Sequence, residues 1–329
     1  MIQLRLYFGE RDRNGGGSLE DAVMDACARR GVEAAALLRG VEGFGAKHLL
    51  RTDRLLSLSE DAPLVAVAVG ETEVIEGLAE EVREIASEGL LTHEDVGART
   101  TGTAATSAGM AAVPVVGAPA DAVRATIWGP RTGPEAPHLA AVAALRKHGA
   151  DSATVLLGVD GVLEGERRRA RFVAGNRGVP AMTVAVGERA AIEAAVAEVD
   201  GAAHLVTVEG VATNSRIERV SRHSEAVRVT LVTSEIAQCG SHPLYVALIH
   251  ELRRSGAAGA TALRGVWGFR GGREPHGDRV LALRRDVPLI VETVDGPEKA
   301  ERWREMALEL ACDEGLVHSQ SVSKAIALE

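Results

Sequence analysis

The sequence predicts an α+β fold made of three tandem βαββαβ units. Two observations predict it. One stretch is written three times: RRGVEAAALLRGVEGFG (29–45), KHGADSATVLLGVDGVLEG (147–165) and RSGAAGATALRGVWGFRGG (254–272). Its spacings also recur. Nine positions separate the first glycine from the loop glycine in each copy (Gly31 to Gly40, Gly149 to Gly158, Gly256 to Gly265). From that glycine to the proline opening the next strand (Pro63, Pro180, Pro288) the distances are 23, 22 and 23. Chance does not hold two spacings across three copies.

Each element follows from local chemistry. In the first copy QLRLYF reads as a strand. Ser18 with Asp21 then resembles a capping box, and Leu19, Ala22, Val23 and Ala26 give the following helix one apolar stripe. Arg29 and Arg30 complement the helix dipole, and Gly31 suits a left-handed C-terminal cap. AAALL is the second strand, PLVAVAV the third, TEVIEGLAEEVREIASEG the second helix and LLTHEDV the closing strand. The other copies open at VRATIWG and VRVTLVT and close at HLVTVEGV and GLVHSQSV, and the last helix of the second copy is short, about 190–199. This order is the ferredoxin-like plan. A sheet with one wet face alternates apolar with polar residues. AAALL, PLVAVAV and ATVLLGV barely alternate, so both faces must be covered, one by helices and the other by the sister sheets. The expectation is a single-chain pseudo-trimer with units at 1–98, 121–212 and 226–329, joined by linkers at 99–120 and 213–225.

Composition narrows the function. Hydrophobic residues make up 46% and aromatics 3%, which predicts an aliphatic core with few platforms for stacking bases. A net charge of −9 argues against a general nucleic-acid binder. No apolar run reaches the roughly 18 residues of a membrane span, and the first residues read as a strand, so the expected location is cytoplasmic. Three scattered cysteines, Cys27, Cys239 and Cys312, form no metal or redox spacing. The histidines show no HExxH, and HEDV (93–96) reads as paired surface charge, so no enzyme chemistry is expected.

The long loop of each copy is basic. The first carries Lys47, His48, Arg51 and Arg54, the second Arg167, Arg168, Arg169 and Arg171, and the third Arg270, Arg273, His276 and Arg279. A cationic cluster at one structural address, three times over in an acidic chain, invites an anion. Gly40, Gly43 and Gly45, with Gly265 and Gly268 in the third copy, would let backbone N–H groups approach phosphate oxygens. The alternative is a solvated loop balanced by Glu60, Asp61, Glu164 and Glu166, with glycines that only let the chain leave a packed interface.

The stretches LLRGVEGFGAKH, PLVAVAVGETEVIEGL and GLLTHEDV of the first copy, with ALRGVWGFRG, DVPLIVETVDG and GLVHSQSV of the third, resemble an uncharacterised PII-like family of the nitrogen-regulatory PII superfamily. The second copy resembles it more loosely, with Leu157 before the loop glycine and Val162 in place of phenylalanine. The resemblance implies a non-enzymatic sensor that binds an adenine nucleotide (ADP, ATP or AMP) in clefts between units. It further implies loops that report to a partner, a membrane transporter or an enzyme. The site residues expected are Gly40, Gly43, Gly45, Lys47 and His48, with Gly265, Gly268, Arg270, Arg273 and His276, in a chain that acts as a monomer. Two other readings are a ligand-free scaffold for an acidic or membrane-protein partner and a metal-binding trimer of the copper-tolerance type.

Overall fold

The computed structural model describes residues 1–52, 61–100, 122–131, 137–170, 176, 178–199, 203–213, 224–277 and 286–328. Arg54, Glu60, Arg171 and Arg279, and the expected linkers over 101–120 and 214–223, lie outside the described residues. The fold is mixed α+β, with mostly antiparallel sheets and six helices among the described residues.

The first segment runs β1 (Ile2–Gly9), α1 (Leu19–Arg30), β2 (Ala34–Phe44), β3 (Pro63–Gly70), α2 (Thr72–Ile85) and β4 (Gly89–Asp95), followed by β5 (Gly97–Thr100). The second runs β6 (Ala122–Pro130), α3 (Pro137–Lys147), β7 (Ser152–Leu157), β8 (Asp160–Leu163), β9 (Pro180–Gly187), α4 (Arg189–Glu198) and β10 (Leu205–Val211). The third runs β11 (Ala226–Ser234), α5 (Leu244–Arg254), β12 (Ala260–Arg264), β13 (Trp267–Arg270), β14 (Pro288–Asp295), α6 (Pro297–Ala311), β15 (Leu316–Val322) and β16 (Lys324–Leu328). The local signals act where the sequence places them. Ser18 accepts a hydrogen bond from the Asp21 N–H at the start of α1, and Gly31 ends that helix at φ 68°.

Within each segment the strands hydrogen-bond in one order: β2-β3-β1-β4, β7-β9-β6-β10 and β12-β14-β11-β15. The segments also exchange strands. The end of β2 pairs with β12, with Phe44 opposite Ala260. Past its own loop glycine, β13 pairs with β7, with Phe269 opposite Ala153. In the same way β8 pairs with the start of β2, with Val162 opposite Ala35. The exchange therefore runs first onto third, third onto second and second onto first, in equivalent register. The outer edges are covered too. β5 pairs with β10, β16 pairs with β4, and Ala212 bridges to Ser319. The long strands β4 and β10 are thereby covered, and the outermost places beside them pass to the short β16 and β5. β5 crosses the expected unit boundary at 98 because it serves as this edge cover.

Each sheet buries both faces. On β3, Leu64, Ala66 and Ala68 pack with Leu19, Val23 and Leu78 of the helices. The alternate residues Val65, Val67 and Val69 join Trp128, Leu156, Met182, Leu263 and Ile290 in a cluster drawn from all three segments. No helix among the described residues is long and apolar enough to cross a membrane.

Candidate functional site

The space between the three sheets is not all aliphatic, contrary to the composition-based expectation. Arg124 and Arg228 stand at the same register position of β6 and β11, while β1 has Gln3 there and carries Arg5 two residues further along; the three arginines are 1% (Arg5), 2% (Arg124) and 0% (Arg228) exposed. Their neighbours along each strand, such as Leu4 and Leu6, face the helices, so the two-residue period sends the guanidinium inward. Arg228 donates to both oxygens of Glu94 at 2.6 and 2.9 Å. Arg124 donates to Glu209 at 2.9 Å. Arg5 donates from Nη1 to both oxygens of Glu292, at 3.0 and 3.3 Å. Longer approaches tie these pairs into one network: Arg5 to Glu94 at 3.7 Å, Arg228 to Glu209 at 3.6 Å and Arg124 to Glu292 at 3.9 Å. Three cations face three carboxylates, which makes the cluster neutral. Glu94 and Glu209 occupy equivalent positions on β4 and β10, and the third position, on β15, holds Gln320, which donates to Glu209. Glu292, on a different strand, supplies the carboxylate that Gln320 lacks.

Burial alone would raise the Glu292 carboxyl, but Arg5, Arg228, Arg124 and the Tyr7 hydroxyl together hold it down at about 2. Burial, reinforced by Glu292, pushes the Tyr7 phenol up to about 12. His318, on β15 where the other segments have Thr92 and Thr207, is driven down to about 3 by burial and then by Arg124 and Arg228. It is therefore neutral in the folded protein.

A pH dependence follows. Unfolded His318 titrates near the ordinary value of about 6.5, so the unfolded chain takes up the proton first as pH falls. The folded state's advantage is complete above about 6.5 and is lost progressively towards 3. Between pH 6.5 and 5 the expected loss from this residue is about 2 kcal/mol. His318→Thr should flatten that fall in urea unfolding at pH 7.5, 6.5 and 5. An unchanged slope would assign the acid sensitivity elsewhere.

Where the first segment meets the third, a cavity of about 450 Å³ opens beside this network. Tyr7, Glu292, Thr261 and Thr293 line its polar inner part, and Phe8, Phe44, Leu90 and Leu328 its apolar walls. Gly45, Lys47, Leu49 and Arg51 line it on the loop side. Tyr7 donates its hydroxyl to Glu292 at 3.1 Å, and that bond joins the cavity to the axial charges.

The expected site residues fall at two addresses. Gly45 and Lys47 line the cavity; Lys47, 63% exposed, meets Glu88 of the same segment. His48 stacks on Phe44 with ring centroids 5.6 Å apart, and its carbonyl accepts from Arg253 Nε at 2.5 Å. Gly40 and Gly43 lie in the strand crossing, where a Cβ would come within 2.9 Å of the Ala262 carbonyl oxygen and 2.6 Å of that of Ala260. Gly265 and Gly268 are their counterparts between the third and second segments. At Gly265 a Cβ would meet Thr154 Cγ2 at 2.7 Å, and at Gly268 the Ala153 carbonyl oxygen at 2.0 Å. Gly45 differs: nothing lies within 4 Å of an added Cβ. Arg270 and Arg273 pair with Glu314 at 3.5 and 3.3 Å, and His276 with Asp286 at 3.4 Å. These third-segment residues are held near α3, whose Arg146 donates to the Arg273 carbonyl at 2.8 Å, and none of them lines the cavity between the first and third segments.

The densest basic run, GERRRAR, contributes a clasp. Arg167 reaches Asp160, Asp21 and Asp25 at 2.5, 2.7 and 2.6 Å, and Arg169 reaches Glu20 and Asp21 at 2.7 and 2.8 Å. It fastens the second segment to α1 of the first. Glu94 of HEDV, expected on the surface, is 1% exposed. Among the described residues no group of three or more His, Cys, Asp or Glu side chains is placed to hold a metal ion.

Fold and site together define an α+β protein of three strand-exchanged segments, with a neutral charge cluster between the sheets and a cleft beside it. The sequence model of the family described as DUF190, Uncharacterized ACR, COG1993, matches residues 1–98, 131–218 and 226–324. The chain belongs to this family. It is similar to a UPF0166 protein of Aquifex aeolicus (strain VF5), 31% identical over 75 residues, which are 23% of this chain and 71% of the relative. A second match to a UPF0166 protein of that organism is 37% identical over 51 residues, 16% of this chain and 53% of the relative. Among solved structures, the crystal structure of aspartate kinase from Synechocystis aligns at a TM-score of 0.28 and 10% identity, over 97% of this chain and 43% of that one.

Proposed function

We propose that the chain is a PII-like sensor made of three tandem ferredoxin-like copies, a trimer fused into one polypeptide. It binds a small phosphorylated ligand of the adenine-nucleotide class in a cleft between copies. The single observation that carries the reading is the cavity of about 450 Å³ between the first and third segments, a volume within the range of small-molecule sites. It combines apolar walls, a buried polar end and a cationic loop side at Lys47 and Arg51. The cyclic strand exchange and the recurring strand order support the fused-trimer part. On this reading the protein performs no catalysis. Ligand occupancy changes the long loops, and a partner reads them.

Calorimetry with ATP, ADP and AMP tests the reading, with Lys47→Ala as the informative variant. A charge-assisted hydrogen bond to phosphate is worth roughly 1.5–3 kcal/mol, so its removal should weaken binding about tenfold or more. The exposed Lys47–Glu88 pair contributes little to folding, so the melting temperature of the free protein should hardly move. Wild-type protein that binds none of the three nucleotides would refute the reading.

One observation favours the scaffold alternative. Leu49, at the cavity's loop side, is 62% exposed, and an apolar residue beside Lys47 and Arg51 suits an acidic partner segment. Nucleotide silence together with capture of an acidic peptide would select it.

A further inference from the structure

The three contacts between segments are not built alike. Tyr7 pairs with Val65, two residues after Pro63; the residues at that register position of β6 and β11 are Trp128 and Val232. Glu292 stands four residues after Pro288; the residues four after Pro63 and Pro180 are Val67 and Val184. A phenol and a carboxylate therefore meet only where the first segment faces the third, and there they line the cavity. The second segment's loop is clasped onto α1 by Arg167 and Arg169, and the third segment's loop is held by Glu314 and Arg146. A cavity of about 470 Å³ also opens between the first and second segments, but Glu10, Glu20, Asp160, Arg39 and Arg169 line it as a charged groove, so the phenol, the buried carboxylate and the aromatic walls set the first-third cavity apart.

An ionised carboxylate only accepts hydrogen bonds. Three guanidiniums and the Tyr7 hydroxyl fix Glu292 in its charged form, and its side chain cannot turn away without stranding Arg5. A ring presenting an amino group to this carboxylate gains a charge-assisted bond. A ring presenting a carbonyl there meets acceptor against acceptor.

We propose that the cleft between the first and third segments is the one ligand site of the chain, and that Glu292, oriented by Tyr7, selects 6-aminopurine nucleotides over their 6-oxo counterparts. The proposal rests on the sensor reading and adds to it the number of sites and the residue that reads the base. The carboxylate that Gln320 lacks stands instead at Glu292, a relocation relative to Glu94 and Glu209 that leaves the axial cluster neutral and places an acceptor in this cleft.

The test follows from that relocation. Glu292→Val with Gln320→Glu returns the carboxylate to the position used by Glu94 and Glu209, so three cations still face three carboxylates while the cleft loses its acceptor. Tyr7→Phe is the milder companion and keeps the test decisive if the double variant does not fold. Calorimetry of the full chain with AMP and with IMP should give one AMP per chain and at least tenfold weaker binding of IMP. The double variant should lose at least tenfold in AMP affinity with little change for IMP, and Tyr7→Phe at least threefold for AMP. Two or three equal AMP sites per chain would overturn the proposal and leave the sensor reading standing. So would both variants keeping wild-type AMP affinity and discrimination. Wild type that binds neither AMP, ADP nor ATP would overturn both.

Discussion

Glu292→Val alone should lower the free energy of unfolding by about 3–5 kcal/mol, the cost of removing one partner from a buried ion pair. Arg5 would keep only its 3.7 Å approach to Glu94, and the cluster would carry one uncompensated positive charge at 1% exposure. Valine is the residue the other two segments place there, and it is isolated among apolar neighbours at Val67 and Val184. Shape alone therefore predicts a mild effect and charge predicts a severe one. Urea unfolding separates them, and the addition of Gln320→Glu should recover a large part of the loss. A loss below about 1 kcal/mol for Glu292→Val would mean that Arg5 finds other compensation.

Gly268→Ala should cost about 3 kcal/mol or more, at the upper end of overpacking. The added methyl would sit 2.0 Å from the Ala153 carbonyl oxygen, 3.0 Å from its carbon and 3.1 Å from Pro288 Cγ. Two of those atoms are backbone of the strand across the exchange, so relief requires β13 and β7 to part. Gly161 and Gly43, at the two equivalent crossings, would bring a methyl to 2.3 and 2.6 Å of a carbonyl oxygen and should behave alike. Gly272, a few residues away, has nothing within 4 Å, and its change to alanine should stay within about 0.5 kcal/mol. Urea midpoints of the four variants decide the matter. Equal midpoints for Gly268→Ala and Gly272→Ala would mean the strand exchange contributes little.

Order and spacing made the elements of each segment legible in the sequence. The cap at Ser18, the left-handed Gly31 and the proline opening each third strand are local signals, and each sits at the element end it marks. The non-alternating strands correctly implied two covered faces. The charges between those faces are not legible in the sequence strand by strand, for a physical reason. A charged residue in a strand normally marks the wet face, and HEDV by itself reads as paired surface charge. Only when strands from three segments face one another does Arg5 find Glu292, 287 positions away. A signal was available: AVRATIW and AVRVTLV set an arginine at one register position, QLRLYF sets one two residues further along, and PLIVETV carries a lone glutamate in an apolar strand. Loop glycines were ambiguous for a related reason. Phosphate approach and backbone crossing both require a missing Cβ, and only the opposing strand distinguishes Gly43 from Gly45. Likewise, two of the acidic partners of Arg167, Asp21 and Asp25, sit on α1, more than 140 residues upstream.

Native mass spectrometry of the full chain with AMP tests the central claim most directly, because one spectrum reports both assembly and occupancy. A ring closed within one polypeptide, with one equipped cleft, predicts a species of one 34.5 kDa chain carrying a single nucleotide. A species of three chains, or one chain carrying three nucleotides, would contradict it.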